Sequence, residues 1–179
     1  TKSGTPEFPS CPSCLRGENI IRATPVDVFQ IELPYDFYTD EDIAHRAIYV
    51  EASRGCPFRC EYCMSSLDSA VRYFPQERFL AAMQKLLDRG ARTFRFVDRS
   101  FNIDLDFALE IIAFFRDRYQ PGLMVHLEMI PDRLPDQLMD LLKYCPPGMF
   151  QFEIGIQTFN PEVAQRVQRP LNIAQIETN

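Results

Sequence analysis

From residue 47 onward the 179-residue chain repeats one pattern four times over, a short apolar strand followed by an amphipathic helix. Strands are expected over 47–52, 92–97, 124–129 and 149–156. In the second of these Thr93 and Arg95 alternate with Phe94 and Phe96, the period-two signature of a pleated strand. A helix over 75–89 carries Phe79, Leu80, Met83, Leu86 and Leu87 on one face, opened by Pro75 and stopped by Gly90. A second helix begins at Asp104, with an apolar stripe from Phe107 to Phe115, and is broken by Gly122. A third covers 134–144 with Leu138, Leu141 and Leu142, and a fourth starts at Asn160-Pro161-Glu162, asparagine capping and proline in the first turn. This alternation means parallel strands joined by helical crossovers, hence an α/β fold. All the strand-to-helix loops then lie at one end of the sheet, where such folds carry their chemistry.

The loop after the first strand gathers the unusual residues. Cys56, Cys60 and Cys63 stand there at the spacing C-x3-C-x2-C, just past Gly55. Thiolates are soft ligands that select zinc, copper(I) or iron–sulfur clusters. A closed structural zinc site takes four protein ligands, whereas this loop supplies three and contains no histidine. Three thiolates on one tight loop suit a cubane cluster with one iron left open. The rival reading is a zinc ribbon, with Cys11 and Cys14 as its other half. Inert buried cysteines fit less well, because Pro57, Arg59 and Glu61 make the loop polar.

The three cysteines, with Tyr62 directly before the third, resemble the signature of the radical S-adenosylmethionine (SAM) superfamily. The flanking words Tyr49-Val-Glu-Ala-Ser-Arg-Gly-Cys56 and Phe152-Glu-Ile-Gly-Ile-Gln-Thr158 resemble the branch often fused to a cobalamin (B12)-binding domain. The resemblance implies that Cys56, Cys60 and Cys63 hold a [4Fe-4S] cluster whose open iron is chelated by SAM. One electron from the reduced cluster then cleaves SAM to methionine and a 5′-deoxyadenosyl radical. The resemblance also puts Tyr62 near the adenine, Asp98 near the methionine moiety, and Glu153 and Gln157 near the SAM ribose or the substrate. It implies radical attack on a small-molecule or peptide substrate, an electron donor such as flavodoxin or ferredoxin, and cobalamin-dependent methyl transfer in a full-length parent. Two alternatives stand beside it. A tRNA-modifying methylthiotransferase on the same core would bring a second cluster motif and a basic RNA-binding module, and a non-catalytic module would use an iron–sulfur cluster or zinc for stability alone.

The implied fold is a partial (β/α) barrel of the radical SAM type. The superfamily's barrel has six units and about four are readable here, so a C-terminally truncated core is expected over 46–179. Thr1 is not an initiator methionine, which also suggests a piece of a longer protein. Bland alternatives accompany the outlying candidates: a surface Asp98–Arg99 pair, a polar outer face bearing Glu153 and Gln157, and a solvent-facing Glu128. Met64, Met129 and Met149 are expected in the core, and Cys145 as a buried thiol.

Residues 1–45 read as a linker or cap, interrupted by Pro6, Pro9, Pro12, Pro25 and Pro34. Within this segment Cys11 and Cys14 are taken as surface thiols, 28–33 as a short alternating strand, and Asp40-Glu-Asp42 as the acidic start of a helical turn. A net charge of −6 argues against a broad nucleic-acid surface. The sequence has no apolar run of membrane-span length and opens with no signal peptide. Its cysteines do not form the dispersed framework of a small secreted domain, so the expected compartment is the cytoplasm.

Overall fold

The computed structural model describes residues 26–179; the expectations for Cys11 and Cys14 lie outside them. The first described residues form a 3-10 turn over Val28–Gln30, capped by the Asp27 carboxylate on the Phe29 amide, rather than the strand expected at 28–33. Local side-chain capping of this kind competes with strand pairing. Helix α1 (Asp40–His45) follows, opened by a reciprocal capping box between Thr39 and Asp42.

Strands β1 (Ile48–Val50) and β2 (Ser53–Arg54) come next, then β3 (Arg72–Tyr73), α2 (Gln76–Asp88), β4 (Thr93–Phe96), α3 (Leu105–Asp117) and β5 (Met124–Met129). The chain continues through α4 (Asp136–Lys143), β6 (Phe150–Ile154), α5 (Pro161–Arg166) and α6 (Ile173–Thr178). All four long alternating units are present where the pattern predicts them, most ends shifted by one or two residues, while α3 stops at Asp117, well short of Gly122.

The main sheet is parallel with strand order β1-β4-β5-β6. A sequential order with right-handed crossovers puts α2, α3 and α4 on one face, the arrangement that curls toward a barrel. That face holds the core. Ile48, Val50, Phe94, Phe96, Val125 and Leu127 from the strands are all at most 1% exposed, because alternate strand residues point to one side. Phe96 sits at the centre, its ring 5.7 Å from Phe79, 5.5 Å from Phe101 and 6.0 Å from Phe115, each in an edge contact. Truncating a side chain so placed costs about 3–5 kcal/mol.

The other face of the sheet is polar. The register lines up Tyr49, Arg95, His126 and Gln151 across it, with Glu128 and Glu153 paired one layer nearer the strand ends.

The outer edge of β1 is closed by two phenols. The Tyr38 hydroxyl accepts from the Tyr49 amide and donates to the Tyr49 carbonyl, both at 3.0 Å. The Tyr35 hydroxyl does the same for Glu51, at 2.8 and 3.2 Å. Residues two apart on a strand aim their backbone groups to the same side, so these hydroxyls stand in for the missing neighbour.

Candidate functional site

Asp98, directly after β4, shapes the exit from β1. Its carboxylate accepts from the Ala52 amide (3.0 Å), the Ser53 amide (2.5 Å) and the Ser53 hydroxyl (2.6 Å). Burial outweighs these three hydrogen bonds and pushes the carboxyl up to about 6. The contact turns the chain into β2, which pairs antiparallel with β3 and ties the base of the 55–71 excursion. Gly55 starts that excursion at φ +106°, and a Cβ there would meet the Ala70 carbonyl oxygen at 2.2 Å. Only glycine fits so close an approach.

Within the excursion the Cys56 amide donates to the Asp68 carbonyl and the Cys63 amide to the Cys60 carbonyl. Cys56, Cys60 and Cys63 then line one cleft of about 160 Å³ at the strand-end mouth, together with Tyr62, Arg99, Glu128, Glu153, Gln157 and Arg169. Cys56 and Cys60 are buried and Cys63 half-buried, all as free thiols. The Ser100 hydroxyl lies 3.4 Å from the Cys56 sulfur. At Cys63 the Ser65 amide lowers the thiol pKa, assisted by the Ser65 hydroxyl and the Arg99 charge; such surroundings favour the thiolate that binds metal. A larger hollow, about 660 Å³, lies between Phe37, Arg46 and Tyr49 and is lined by no cysteine.

Of the residues singled out from sequence, the fold brings Tyr62, Glu153 and Gln157 to the cysteine cleft. Asp98 is not among them: at 1% exposure its oxygens face the β1 backbone rather than the cleft. Neither a surface pair nor a cleft ligand describes it. Glu128 lines the cleft instead of facing solvent, and accepts from Arg99 at 3.2 Å. Met64 is 85% exposed rather than core, since it lies on the rim of the excursion, whereas Met129 and Met149 are buried as expected. Cys145 is half-buried, its sulfur 3.4 Å from the Leu141 carbonyl and its pKa raised chiefly by burial.

Arg169 was not legible as a site residue. It lies far along the chain from the cysteines, yet its guanidinium stacks 3.7 Å from the Phe58 ring centre and reaches the cleft. Its neighbours fasten the same loop: the Glu61 amide donates to the Val167 carbonyl at 3.2 Å, and the Gln168 side chain to Glu61 at 3.0 Å. Gln168 (φ 54°) and Gln157 (φ 68°) both adopt the left-handed conformation, a strain that tends to mark functional turns. Gln157 folds back over Gly155, where a Cβ would meet its side-chain nitrogen at 2.6 Å.

The thiols fit a cluster better than a single ion. Among the described residues no three His, Cys, Asp or Glu side chains close on one ion position. A zinc ion needs every thiolate about 2.3 Å from one centre, whereas a cubane gives each thiolate its own iron. Three sulfurs on a tied loop, two of them buried, facing a polar wall of Arg99, Glu128 and Arg169, match that donor set.

Comparison with known families matches residues 50–178 to one description, the Radical SAM superfamily. The chain belongs to that superfamily. Among curated radical SAM relatives is the ribosomal protein uS12 methylthiotransferase RimO of Trichlorobacter lovleyi, 26% identical over 137 residues, covering 73% of this chain and 30% of RimO. Among solved structures, the radical SAM methyltransferase TsrM of Kitasatospora setae superposes with a TM-score of 0.59 at 17% identity. The match covers 74% of this chain and 27% of TsrM, whose structures hold cobalamin and a [4Fe-4S] cluster or tryptophan and the SAM analogue aza-SAM. This likeness establishes the radical SAM fold, a partial α/β barrel, for the chain. The chain thus spans about three-tenths of the length of each relative.

Proposed function

We propose that this chain is the catalytic core of a radical SAM enzyme, with Cys56, Cys60 and Cys63 as the ligands of a [4Fe-4S] cluster. The observation that carries the reading is the meeting of these three thiols with Tyr62, Gln157, Arg99, Glu128 and Arg169 in one cleft at the sheet mouth. When bound, the cluster supplies the electron that cleaves SAM. The chain's own residues do the rest. Tyr62, 57% exposed beside the cleft, offers a ring face for the adenine. The Arg169 guanidinium suits the SAM carboxylate and the Glu128 carboxylate its amino group, by charge. Gln157 offers an amide to the ribose. Asp98 takes no part as a ligand and acts as a positioning residue for the β1 exit.

The electron donor proposed is a flavodoxin or ferredoxin, the compartment the cytoplasm, and the substrate a small molecule or peptide. No described helix is long and apolar enough to cross a membrane. A full-length parent with a cobalamin-binding domain would direct the radical chemistry to methyl transfer, as the likeness to TsrM suggests. The similarity to RimO favours a second reading, sulfur insertion with a second cluster. Iron analysis of a full-length parent separates the two, about four irons for one [4Fe-4S] cluster against about eight for two.

The test is anaerobic reconstitution with iron and sulfide, reduction, and electron paramagnetic resonance with and without SAM. A [4Fe-4S] signal that changes shape with SAM is expected, and Cys60→Ala is expected to abolish it. Zinc bound as tightly as iron, or a wild-type cluster indifferent to SAM, would overturn the proposal.

A further inference from the structure

The polar face of the sheet holds a charged group of which only Glu153 lines the cysteine cleft. Arg95 on β4, His126 on β5 and Glu153 on β6 converge there: Glu153 Oε2 lies 3.4 Å from His126 Nε2 and 3.7 Å from an Arg95 terminal nitrogen. Register accounts for the meeting, since Arg95 pairs with His126 across the sheet and Glu153 stands one layer nearer the mouth. Three features make this more than a surface ion pair. His126 is only 6% exposed, and its Nδ1 has no hydrogen-bond partner among the described residues. A buried ring nitrogen left so costs stability unless something pairs with it. Arg95 is 46% exposed and touches Glu153 only at that long distance, so among the described residues most of its five N–H donors remain open. Gln151 and the 53%-exposed Tyr49 flank the row with further donors. The layer of Tyr49, Arg95, His126 and Gln151 itself holds no carboxylate; Glu128 and Glu153 stand one layer nearer the mouth, where both line the cysteine cleft.

We infer that Arg95, His126 and Glu153 form a substrate-anchoring subsite for an oxyanion, a carboxylate or phosphate carried by the substrate. The inference rests on the radical SAM reading for the meaning of "substrate", but the anion site itself stands on these residues alone. Arg95 supplies the fork that grips two oxygens of a planar or tetrahedral anion. Glu153 holds that fork in place from the cleft side, and His126 holds Glu153.

The probes are inorganic phosphate and succinate, titrated into the full chain at constant ionic strength with chloride as control, and thermal unfolding is the readout. Phosphate, succinate or both are expected to raise the midpoint saturably, by about 3–5 °C at ten times Kd. The anion that does so identifies the class. Arg95→Gln is expected to abolish the rise, Arg95→Lys to weaken binding severalfold, and Arg169→Gln to leave it intact, which separates this site from the cleft. Circular dichroism of each variant checks that it is folded. No saturable rise with either anion, or a rise that survives Arg95→Gln, overturns the subsite. The paramagnetic resonance test with SAM is independent of these titrations. A cluster that responds to SAM beside a silent anion titration rejects the subsite alone, and the reverse outcome rejects the enzyme reading alone.

Discussion

Single residues decide whether the cysteine loop has its shape. Gly55 cannot take a side chain without displacing the Ala70 carbonyl, and its positive φ adds strain for any other residue. Gly55→Ala is expected to cost about 2–4 kcal/mol in urea unfolding, with cluster content falling in parallel. Asp98 gives a pH signature. Its folded carboxyl titrates at about 6, against about 3.9 in an unfolded chain. A raised pKa means the folded state holds its proton more tightly. This contribution to stability is therefore full below the unfolded pKa and is lost as pH rises through 6. Asp98→Asn removes the titration and turns an amide donor toward the donors of Ala52 and Ser53. The stability gap between the two proteins is expected to widen by up to about 3 kcal/mol as pH falls from 7 to 4. A gap that does not change with pH would contradict the burial of a titrating carboxyl.

Secondary elements show how far sequence carries. The four strand–helix units were legible because each helix keeps its apolar residues at helical spacing and each strand is short and bounded by turn residues. The cysteines were legible because ligand spacing within one loop survives any packing. Arg169 and the row from Tyr49 to Gln151 were not. Both depend on register and on a docking between segments more than a hundred residues apart, which no local pattern encodes. The 3-10 turn at Val28–Gln30 was missed because one capping carboxylate, Asp27, outweighs an alternating pattern. At the same scale, Tyr35 and Tyr38 act as a substitute strand for β1. Tyr35→Phe leaves the Glu51 amide and carbonyl without their partner, and a loss of about 1–3 kcal/mol is expected. Hydrogen exchange should quicken at the Glu51 amide in Tyr35→Phe and at the Tyr49 amide in Tyr38→Phe, each without the other.

At the scale of the whole molecule, the cleft has two walls drawn from opposite ends of the core, the 55–63 loop and the turn after α5. Arg169→Gln removes the guanidinium that stacks on Phe58 and faces the cleft. The variant is expected to keep its iron content while the SAM-dependent change in the paramagnetic resonance spectrum requires roughly tenfold more SAM, the loss of one charge-assisted pair. Loss of iron together with SAM response would instead assign Arg169 to the integrity of the loop.

The fastening of Glu61 by Val167 and Gln168 also sets an order of events during synthesis. A growing chain displays all three thiols once residue 63 has emerged, and Asp98 ties the base of their loop some thirty-five residues later. The far wall does not exist until Arg169 has been made. Between those moments the sulfurs stand on a shaped but open loop, accessible to whatever delivers iron and sulfide. The Val167 and Gln168 contacts on Glu61 are thus the last fastenings the cysteine loop acquires as the chain is made.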